Sequence, residues 1–254
     1  MSIQTEVEFL GIKQISEVVA TTLAKMREYA QPGMTTWDLD QYGKQLLEEA
    51  GAQSAPMHDY DFPGYTCICV NGQVAHGIPN KKTVIQTGDL INIDVSALKD
   101  GFYSDNGGSF VLGEDKFGHQ ELVGASKEIL FKAINAISGG VKINAIGHII
   151  ESEAKKKGYK VIKNLAGHGI GRALHEEPTG ILNYRDYLNT QRFKKNSVVA
   201  IETFIATKST QTITTKDGWT MVGNKGGFVA QHEHTIVVTE AKPIILTQAN
   251  GIWN

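Results

Sequence analysis

Two aspartates in an apolar stretch, Asp94 and Asp105, have a spacing that brings carboxylates together on one face of a β-hairpin. The stretch 90–111 predicts two strands joined at Asp100-Gly101, because Asp-Gly between alternating hydrophobic residues is a strong hairpin signal. This turn places Asp105 opposite Ser96, which shares a face with Asp94. Two buried anions this close require a proton or a cation. Solvated aspartates on an edge strand are the alternative, and the surrounding Ile, Val and Phe residues argue against it.

Further isolated polar residues stand inside apolar segments. Glu202 lies in the run 198–205, Glu233 lies in the run 229–237, and His168 stands between two glycines. Each residue alone is also compatible with a solvated side chain or a turn. With the two aspartates they form a set of four carboxylates and one imidazole, which suits two divalent ions bridged by carboxylates. Such ligands favour Mn, Fe, Co or Zn, whereas a structural zinc site would use Cys or several His.

The chemistry predicted from this set is hydrolysis by an activated water. Two ions about 3.5–4 Å apart lower the pKa of a bridging water and polarise a carbonyl group. His76 and His175 are not needed as ligands, and each lies in a loop close to glycine or proline, where binding residues concentrate. An imidazole can donate to a carbonyl oxygen, and an imidazolium can protonate a leaving amine. The alternative for each histidine is an ordinary hydrogen-bonded residue.

The elements that must position these residues follow a plan that occurs twice. Helices are predicted from about Thr5 to Tyr29 and after the N-cap pattern at 35–38, and again over about 120–137 and around Ile146–Ile150. The intervals Gly33–Gly51 and Gly140–Gly158 both span 18 residues. The sequence therefore predicts a single α/β (α+β) domain built from related halves, 1–118 and 119–254. Strands are predicted at 65–70, 161–164, 198–206, 210–214 and 228–238, with a loop at 167–171.

Composition excludes several partners. The chain has 254 residues, 41% hydrophobic, and a net charge of −2, which gives no electrostatic reason for binding nucleic acid or an anionic membrane. No apolar window is long enough for a membrane span, and charges interrupt the N-terminal hydrophobic residues, unlike in a signal peptide. Cys67 and Cys69 lie two apart on one predicted strand, where a disulfide is strained, so we expect free thiols in a reducing cytoplasm.

Six segments of the chain carry a resemblance to a known family. They are Cys67–Pro79, Gly88–Val95, Gly101–Asp105, Gly167–Gly171 with His175–Pro178, Ile201-Glu202 and Gln231–Thr235. In this order they resemble the bacterial type I methionine aminopeptidases, over almost the whole chain from the first helix to Ile245. The resemblance implies the pita-bread fold: two pseudo-symmetric halves, an antiparallel sheet flanked by helices, and a dinuclear metal centre between the halves.

The resemblance also implies roles for individual residues. The ligands of two divalent ions (Co, Mn, Fe or Zn) would be Asp94, Asp105, His168, Glu202 and Glu233, with Asp105 and Glu233 bridging. His76 and His175 would contact substrate, and Glu202 would help to shuttle protons. The pocket for a methionine side chain would be formed by Phe62, Cys67 and Trp219, with Tyr65 and Leu174 as further walls. An apolar, polarisable pocket suits a thioether.

The implied activity is removal of the initiator methionine from nascent proteins with a small second residue. The implied setting is the cytoplasm, with the ribosome as a candidate partner and the enzyme as a monomer. The chain departs from the family pattern at Thr203, where proline is usual, and at Asn106-Gly107-Gly108, where a small hydroxyl residue usually follows the aspartate. Both departures keep the ligands, and we expect them to loosen the strands around the metals. The length also leaves no room for the N-terminal domain of the related X-Pro aminopeptidases and prolidases.

Three alternatives remain open at this point. An X-Pro aminopeptidase or prolidase would keep the fold and change the substrate. A non-catalytic pita-bread binding module would have lost metal ligands, whereas all five positions are filled here. A mononuclear iron enzyme would use two histidines and one carboxylate, and the excess of carboxylates speaks against it.

Overall fold

A computed structural model describes residues 1–253 and consists of helices packed on a large antiparallel sheet. The helices are α1 (Glu6–Tyr29), α2 (Thr36–Glu49), α3 (Ala55–Tyr60), α4 (Gln120–Asn135) and α5 (Ile143–Lys156), and a 3₁₀ turn covers Gln248–Asn250. The strands are β1 (Gln53–Ser54), β2 (Cys67–Val70), β3 (Gln73–Ala75), β4 (Leu90–Lys99), β5 (Phe102–Val111), β6 (Lys160–Val161), β7 (Ala166–Gly169), β8 (Glu176–Leu182), β9 (Val198–Ala206), β10 (Thr212–Thr214), β11 (Met221–Gly223), β12 (Val229–Val237) and β13 (Ile244–Ile245). The predicted α/β class is confirmed.

The main sheet follows the order β1-β4-β5-β12-β9-β7-β8, with β2 paired to β4, β6 to β9 and β13 to β12. A small second sheet has the order β10-β11-β3. Helix α1 packs on β4 and β5, while α4 packs on β9 and β12. The β5–β12 pair, where Gly108 lies opposite His232, therefore joins two helix-covered strand pairs in the middle of the sheet. We call this pair the central seam.

The helices begin where the sequence predicts. The Thr5 hydroxyl accepts a hydrogen bond from the Glu8 N–H at the start of α1. At α2, Thr35 and Asp38 form a reciprocal capping box, which satisfies two otherwise unpaired N–H groups. The predicted apolar face of α1 is buried, from Ile12 to Met26. No helix in the described range is both long enough and apolar enough to span a bilayer.

The two glycine intervals bracket equivalent helices. Both α2 and α5 have 14 residues, and each begins three residues after one glycine and ends two residues before the next. Gly33 and Gly51 have φ values of 94° and 67°, and Gly140 and Gly158 have 89° and 79°, a region that glycine enters without a Cβ clash. The recurrence follows the predicted plan, and the division into halves at residue 118 stays a prediction.

The hairpin has the predicted register. Asp100 and Gly101 have φ values of 51° and 76°, as in the type I′ turns that match the twist of β-hairpins. Lys99 pairs with Phe102, and Ser96 pairs with Asp105. Asp94 lies opposite Gly107, two positions along from Ser96, so the two aspartates share a face of the β4–β5 pair.

The predicted loop at 167–171 is wrong in its first part, because residues 166–169 form strand β7 between β8 and β9. The two glycines of β7, Gly167 and Gly169, allow close backbone contact, and neither has a positive φ. A Cβ on Gly167 would lie 2.4 Å from the Ala200 carbonyl oxygen, and one on Gly169 would lie 2.3 Å from the Glu177 carbonyl oxygen. A strand with so few side chains has no alternating hydrophobic pattern that the sequence could reveal.

Candidate metal centre

The carboxylate of Asp105 lies buried at the central seam. The Ser96 hydroxyl donates to Asp105 Oδ1 over 2.8 Å. The Asp105 N–H donates to Thr235 Oγ1 over 3.1 Å, and that hydroxyl donates to the Asp105 carbonyl oxygen over 2.7 Å. Strand β5 is therefore fixed to β12 at the residue whose carboxylate faces the site.

The side chains of Glu202 and Glu233 lie near the Asp105 carboxylate, on the β12 side of the central seam. They are direct partners in the antiparallel β9–β12 pair. Gln231 Nε2 donates to Glu233 Oε2 over 3.1 Å, and Gln231 Oε1 accepts from Asn92 Nδ2 over 2.7 Å. The second carboxylate oxygen of Glu233, Oε1, is buried and has no hydrogen-bond partner among the described residues.

His168 completes the cluster from β7, the strand beside β9. Its Nδ1 lies 2.9 Å from the Gly169 carbonyl oxygen, which can only accept, so Nδ1 carries the proton. The lone pair of Nε2 then points toward Asp105 Oδ2, 3.8 Å away. A metal-binding histidine typically has its other ring nitrogen anchored in this way. One ligand atom each from Asp105, His168 and Glu233 lie within 4.8 Å of one another.

The carboxylates of the cluster lie so close together that protons or a cation must neutralise them. Burial, followed by repulsion from neighbouring carboxylates, raises the pKa of Asp94, Glu202 and Glu233 well above their ordinary values. Burial also raises the pKa of Asp105 and lowers that of His168. Buried carboxylates are stable as anions when they coordinate a cation. The unpartnered Glu233 oxygen and the oxygen-rich ligands with one imidazole fit divalent metal ions.

A cavity of about 340 Å³ opens beside the aspartates. All predicted substrate residues other than Tyr65 line this cavity. Asp94, Ser96 and Asp105 lie at the side of the candidate metal site. The other walls are formed by Pro56, Tyr60, Phe62, Cys67, His76, Leu174, His175 and Trp219. The rings of Phe62 and Trp219 meet edge to face with centroids 5.2 Å apart. Burial raises the pKa of the Cys67 thiol well above its usual value, so it stays neutral.

The expectation for Tyr65 is wrong. Its ring lies under the Lys44 ammonium, 4.9 Å from the centroid, outside the cavity lining. Tyr65 is also tied to helix α2, because its N–H donates to Asp40 Oδ1 over 3.0 Å. The neighbouring Thr66 donates to the same oxygen through both its N–H and its hydroxyl.

The two histidines of the cavity come from opposite sides of the seam. His76 has a φ of 52°, the left-handed region, and burial lowers its pKa. The ring of His175 lies 4.4 Å from that of His168, centroid to centroid, and burial lowers the pKa of His175 as well. Nδ1 of His175 is 2.7 Å from the Tyr60 hydroxyl. Both imidazoles are therefore biased toward the neutral form, which can donate one hydrogen bond.

Neither departure from the family pattern interrupts the sheet. The β9–β12 register is continuous through Thr203, which faces away from Glu202 and contacts Ser126 of α4, with 3.3 Å between the hydroxyl oxygens. The β4–β5 register is likewise continuous through Asn106, Gly107 and Gly108. Both strand pairs therefore keep their register at these positions, and the effect of the two departures on the metal site stays a prediction.

Two residues at the site were not identified from the sequence as part of it. Gln231 lies two positions before Glu233, so period-2 alternation places both on one face and was a usable signal. Tyr60 ends α3, a short helix without a periodic apolar face, and nothing in the sequence pattern indicates its position.

Comparison with known proteins agrees with this geometry. The sequence matches metallopeptidase family M24 over residues 11–240. The chain belongs to this family. A methionine aminopeptidase 2 of Bacillus subtilis is 46% identical over 248 residues, which are 98% of this chain and 100% of the relative. A methionine aminopeptidase structure from Thermotoga maritima superposes with a TM-score of 0.91 at 33% identity, covering 97% of this chain and 99% of the other.

These similarities confirm the resemblance to methionine aminopeptidases and the pita-bread fold. As a member of family M24, the chain is a metallo-aminopeptidase, a hydrolase that uses divalent metal. A prolidase from Pyrococcus furiosus superposes with a TM-score of 0.77 at 22% identity, covering 96% of this chain and 65% of that one. This second similarity shows the shared fold alone.

Proposed function

We propose that this M24 enzyme removes the initiator methionine from nascent proteins whose second residue is small, acting in the cytoplasm as a monomer. The observation that carries the proposal is the cavity between Phe62 and Trp219, which ends at the buried carboxylates. An apolar pocket with a neutral thiol fits an unbranched thioether side chain. The preference for a small second residue, and the ribosome as a candidate partner, are what the resemblance to bacterial type I methionine aminopeptidases implies.

The residues that would hold two divalent ions are Asp94, Asp105, His168, Glu202 and Glu233. Co, Mn, Fe or Zn ions held there would supply a water of lowered pKa as the nucleophile for peptide hydrolysis. Ser96 and Gln231 hold one oxygen each of Asp105 and Glu233 by hydrogen bonds, which fixes the carboxylates before substrate arrives.

The remaining residues act on the substrate directly. Phe62, Cys67 and Trp219 bind the methionine side chain, which places the first peptide bond next to the carboxylates. His76 and His175 line the same cavity, and as neutral imidazoles they donate to the scissile carbonyl oxygen as negative charge develops on it. Glu202 accepts the proton of the attacking water and passes it to the leaving amine.

Peptide hydrolysis tests the proposal. We expect purified protein to release methionine from Met-Ala-Ser, and much more slowly from Met-Lys-Ser, in the presence of Mn, Co or Fe. An Asp105→Asn variant, which keeps the shape of the side chain, should lose this activity. The absence of metal-dependent release from Met-Ala-Ser would overturn the proposal.

The shared fold with prolidases makes an Xaa-Pro substrate the second candidate. Faster cleavage of an Xaa-Pro peptide than of Met-Ala-Ser would favour it. Anomalous scattering from crystals grown with metal would give the number of ions and their element.

A further inference from the structure

A hydrogen bond joins two residues of the cavity wall that are 115 positions apart. The hydroxyl of Tyr60, at the end of α3, lies 2.7 Å from Nδ1 of His175, which precedes β8. The two rings are tilted by 49° with centroids 5.6 Å apart. This contact joins the two sides of the central seam within the wall of the cavity.

Strand β5 holds both partners of this contact in place. The Tyr103 hydroxyl donates to Asp59 Oδ1 over 3.1 Å, which fixes the end of α3 next to Tyr60. The Tyr103 N–H donates to the Gly171 carbonyl oxygen over 2.9 Å, at the base of the loop that carries His175. One buried residue therefore ties down the two segments, so the distance between the Tyr60 hydroxyl and His175 is set by the scaffold.

The chemistry of the pair determines which nitrogen of His175 carries the proton. Partial burial raises the pKa of Tyr60, so its phenol keeps its proton at neutral pH. Among the described residues, Nδ1 of His175 is the acceptor within reach of that proton, and we therefore take the phenol as the donor. A phenol that donates to Nδ1 leaves the proton of a neutral imidazole on Nε2. Nε2 is the nitrogen that remains for substrate, since Nδ1 is already engaged.

We propose that Tyr60 is a positioning residue, which holds His175 as the Nε2–H tautomer and aims that N–H at the scissile carbonyl oxygen. This inference rests on the proposed function, because it assigns the donor atom in that reaction. Tyr60 does not itself donate to the carbonyl oxygen. It acts through the orientation of His175, in the way that outer hydrogen bonds orient a catalytic imidazole.

Substitution Tyr60→Phe removes the hydroxyl and keeps the ring. We expect kcat and kcat/KM for Met-Ala-Ser to fall together by about three- to tenfold, the range of one hydrogen bond, with KM unchanged. In a His175→Ala background the same substitution should have no further effect. Tyr187→Phe is the matched control, because Tyr187 is 77% exposed and lies outside the cavity.

A second measurement separates tautomer control from a structural role. Two-bond ¹H–¹⁵N spectra of the zinc-loaded, ¹⁵N-histidine-labelled protein, assigned with His175→Gln, should show the Nε2–H form of His175 in the parent and a mixture in Tyr60→Phe. An Nδ1–H form in the parent, identical spectra for both proteins, or full kcat/KM in Tyr60→Phe would overturn the inference. Because the spectra need no turnover, they test it even if the parent fails to cleave Met-Ala-Ser.

Discussion

Glu202 and Glu233 face each other directly across the antiparallel β9–β12 pair, where Glu233 is buried and Glu202 is half-buried. Side chains at such positions have Cβ atoms about 4.5–5.5 Å apart, and like charges there oppose strand pairing. Elsewhere in a sheet this arrangement would destabilise the fold. Here it is the structural reason to expect that metal binding and stability are coupled.

The first prediction concerns this coupling. Adding Mn²⁺ at about 100 times its Kd to metal-free protein should raise the melting temperature by about 5–10 °C, since binding to the folded state alone contributes about 2.7 kcal/mol. Differential scanning fluorimetry with and without EDTA measures the shift. Glu233→Gln should lose most of it. Glu240→Gln, at an exposed ion pair with Lys195, should keep it; an equal shift in both variants would contradict the prediction.

The second prediction concerns Gly107, one of the residues by which the chain departs from its family. A Cβ on Gly107 would lie 2.4 Å from Nε2 of Gln231, which holds Glu233. Gly107→Ala should therefore displace Gln231 and lower metal affinity about tenfold, the scale of an outer-shell change. Isothermal titration with Mn²⁺ measures the affinity. Gly124→Ala in α4, where a Cβ meets nothing within 4 Å, should leave the affinity unchanged.

The local part of the site follows from the sequence. Alternation of side chains and the Asp-Gly turn predict the β4–β5 register and the shared face of Asp94 and Asp105, because both depend only on neighbouring residues. The proposed ligands on β9 and β12 are found as polar residues in apolar runs. Their convergence with the hairpin depends on long-range packing, so it was predicted from the family resemblance and not from local patterns.

The parts that were missed depend on tertiary contacts. The position of Tyr60 is set by α3, whose six residues are too few for a helical period to show. The position of Tyr65 is set by two contacts with α2, the one with Lys44 and the hydrogen bond to Asp40. No local sequence pattern indicates these contacts. Strand β7 was predicted as a loop because its glycines suggest a turn. In the structure these glycines leave room for the backbone of the neighbouring strands.

The third prediction tests His76. Its backbone has a φ of 52°, a conformation that asparagine tolerates better than most residues, so His76→Asn removes the imidazole with little strain. Loss of a donor to the developing oxyanion should lower kcat by about 10²-fold. Metal content, measured by atomic emission, should stay at the parental value. His148→Asn, at an exposed position of α5, is the control; loss of bound metal in His76→Asn would contradict the assigned role.

The fourth prediction tests the side-chain pocket. Trp219→Leu removes the edge-to-face contact with Phe62 and opens one wall of the cavity. An aromatic pair contributes about 0.5–1.5 kcal/mol beyond its area, so kcat/KM for Met-Ala-Ser should fall about tenfold. Steady-state kinetics measure the change. The same substitution at Trp37, outside the cavity, should leave kcat/KM unaltered, and an equal loss in both variants would contradict the assignment.

The fifth prediction concerns Asp40, which is fully buried and accepts three hydrogen bonds from Tyr65 and Thr66. Burial outweighs these bonds and raises its pKa from 3.8 to about 6. Because the folded state holds the proton more tightly, the stabilising contribution is full below pH 3.8 and is lost as the pH rises through about 6. The change amounts to about 3 kcal/mol, from about 1.4 kcal/mol per pKa unit.

Chemical denaturation between pH 4 and 7 checks this expectation. The free energy of unfolding of the parent should decrease with rising pH relative to that of Asp40→Asn, which has no proton to lose. Asp115→Asn, at an exposed loop, provides the comparison for a carboxylate whose pKa is lowered by backbone N–H groups. Parallel curves for the parent and Asp40→Asn would show that Asp40 is ionised with its ordinary pKa.

The central seam also has a consequence for synthesis of the chain. The proposed ligands are split between the hairpin at Asp94 and Asp105 and the later strands that carry His168, Glu202 and Glu233. A growing polypeptide therefore makes its acidic hairpin long before the opposing carboxylates exist. On this proposed set, the site is complete only once β12 has docked on β5, so we expect no peptidase activity from a fragment that stops short of Glu233.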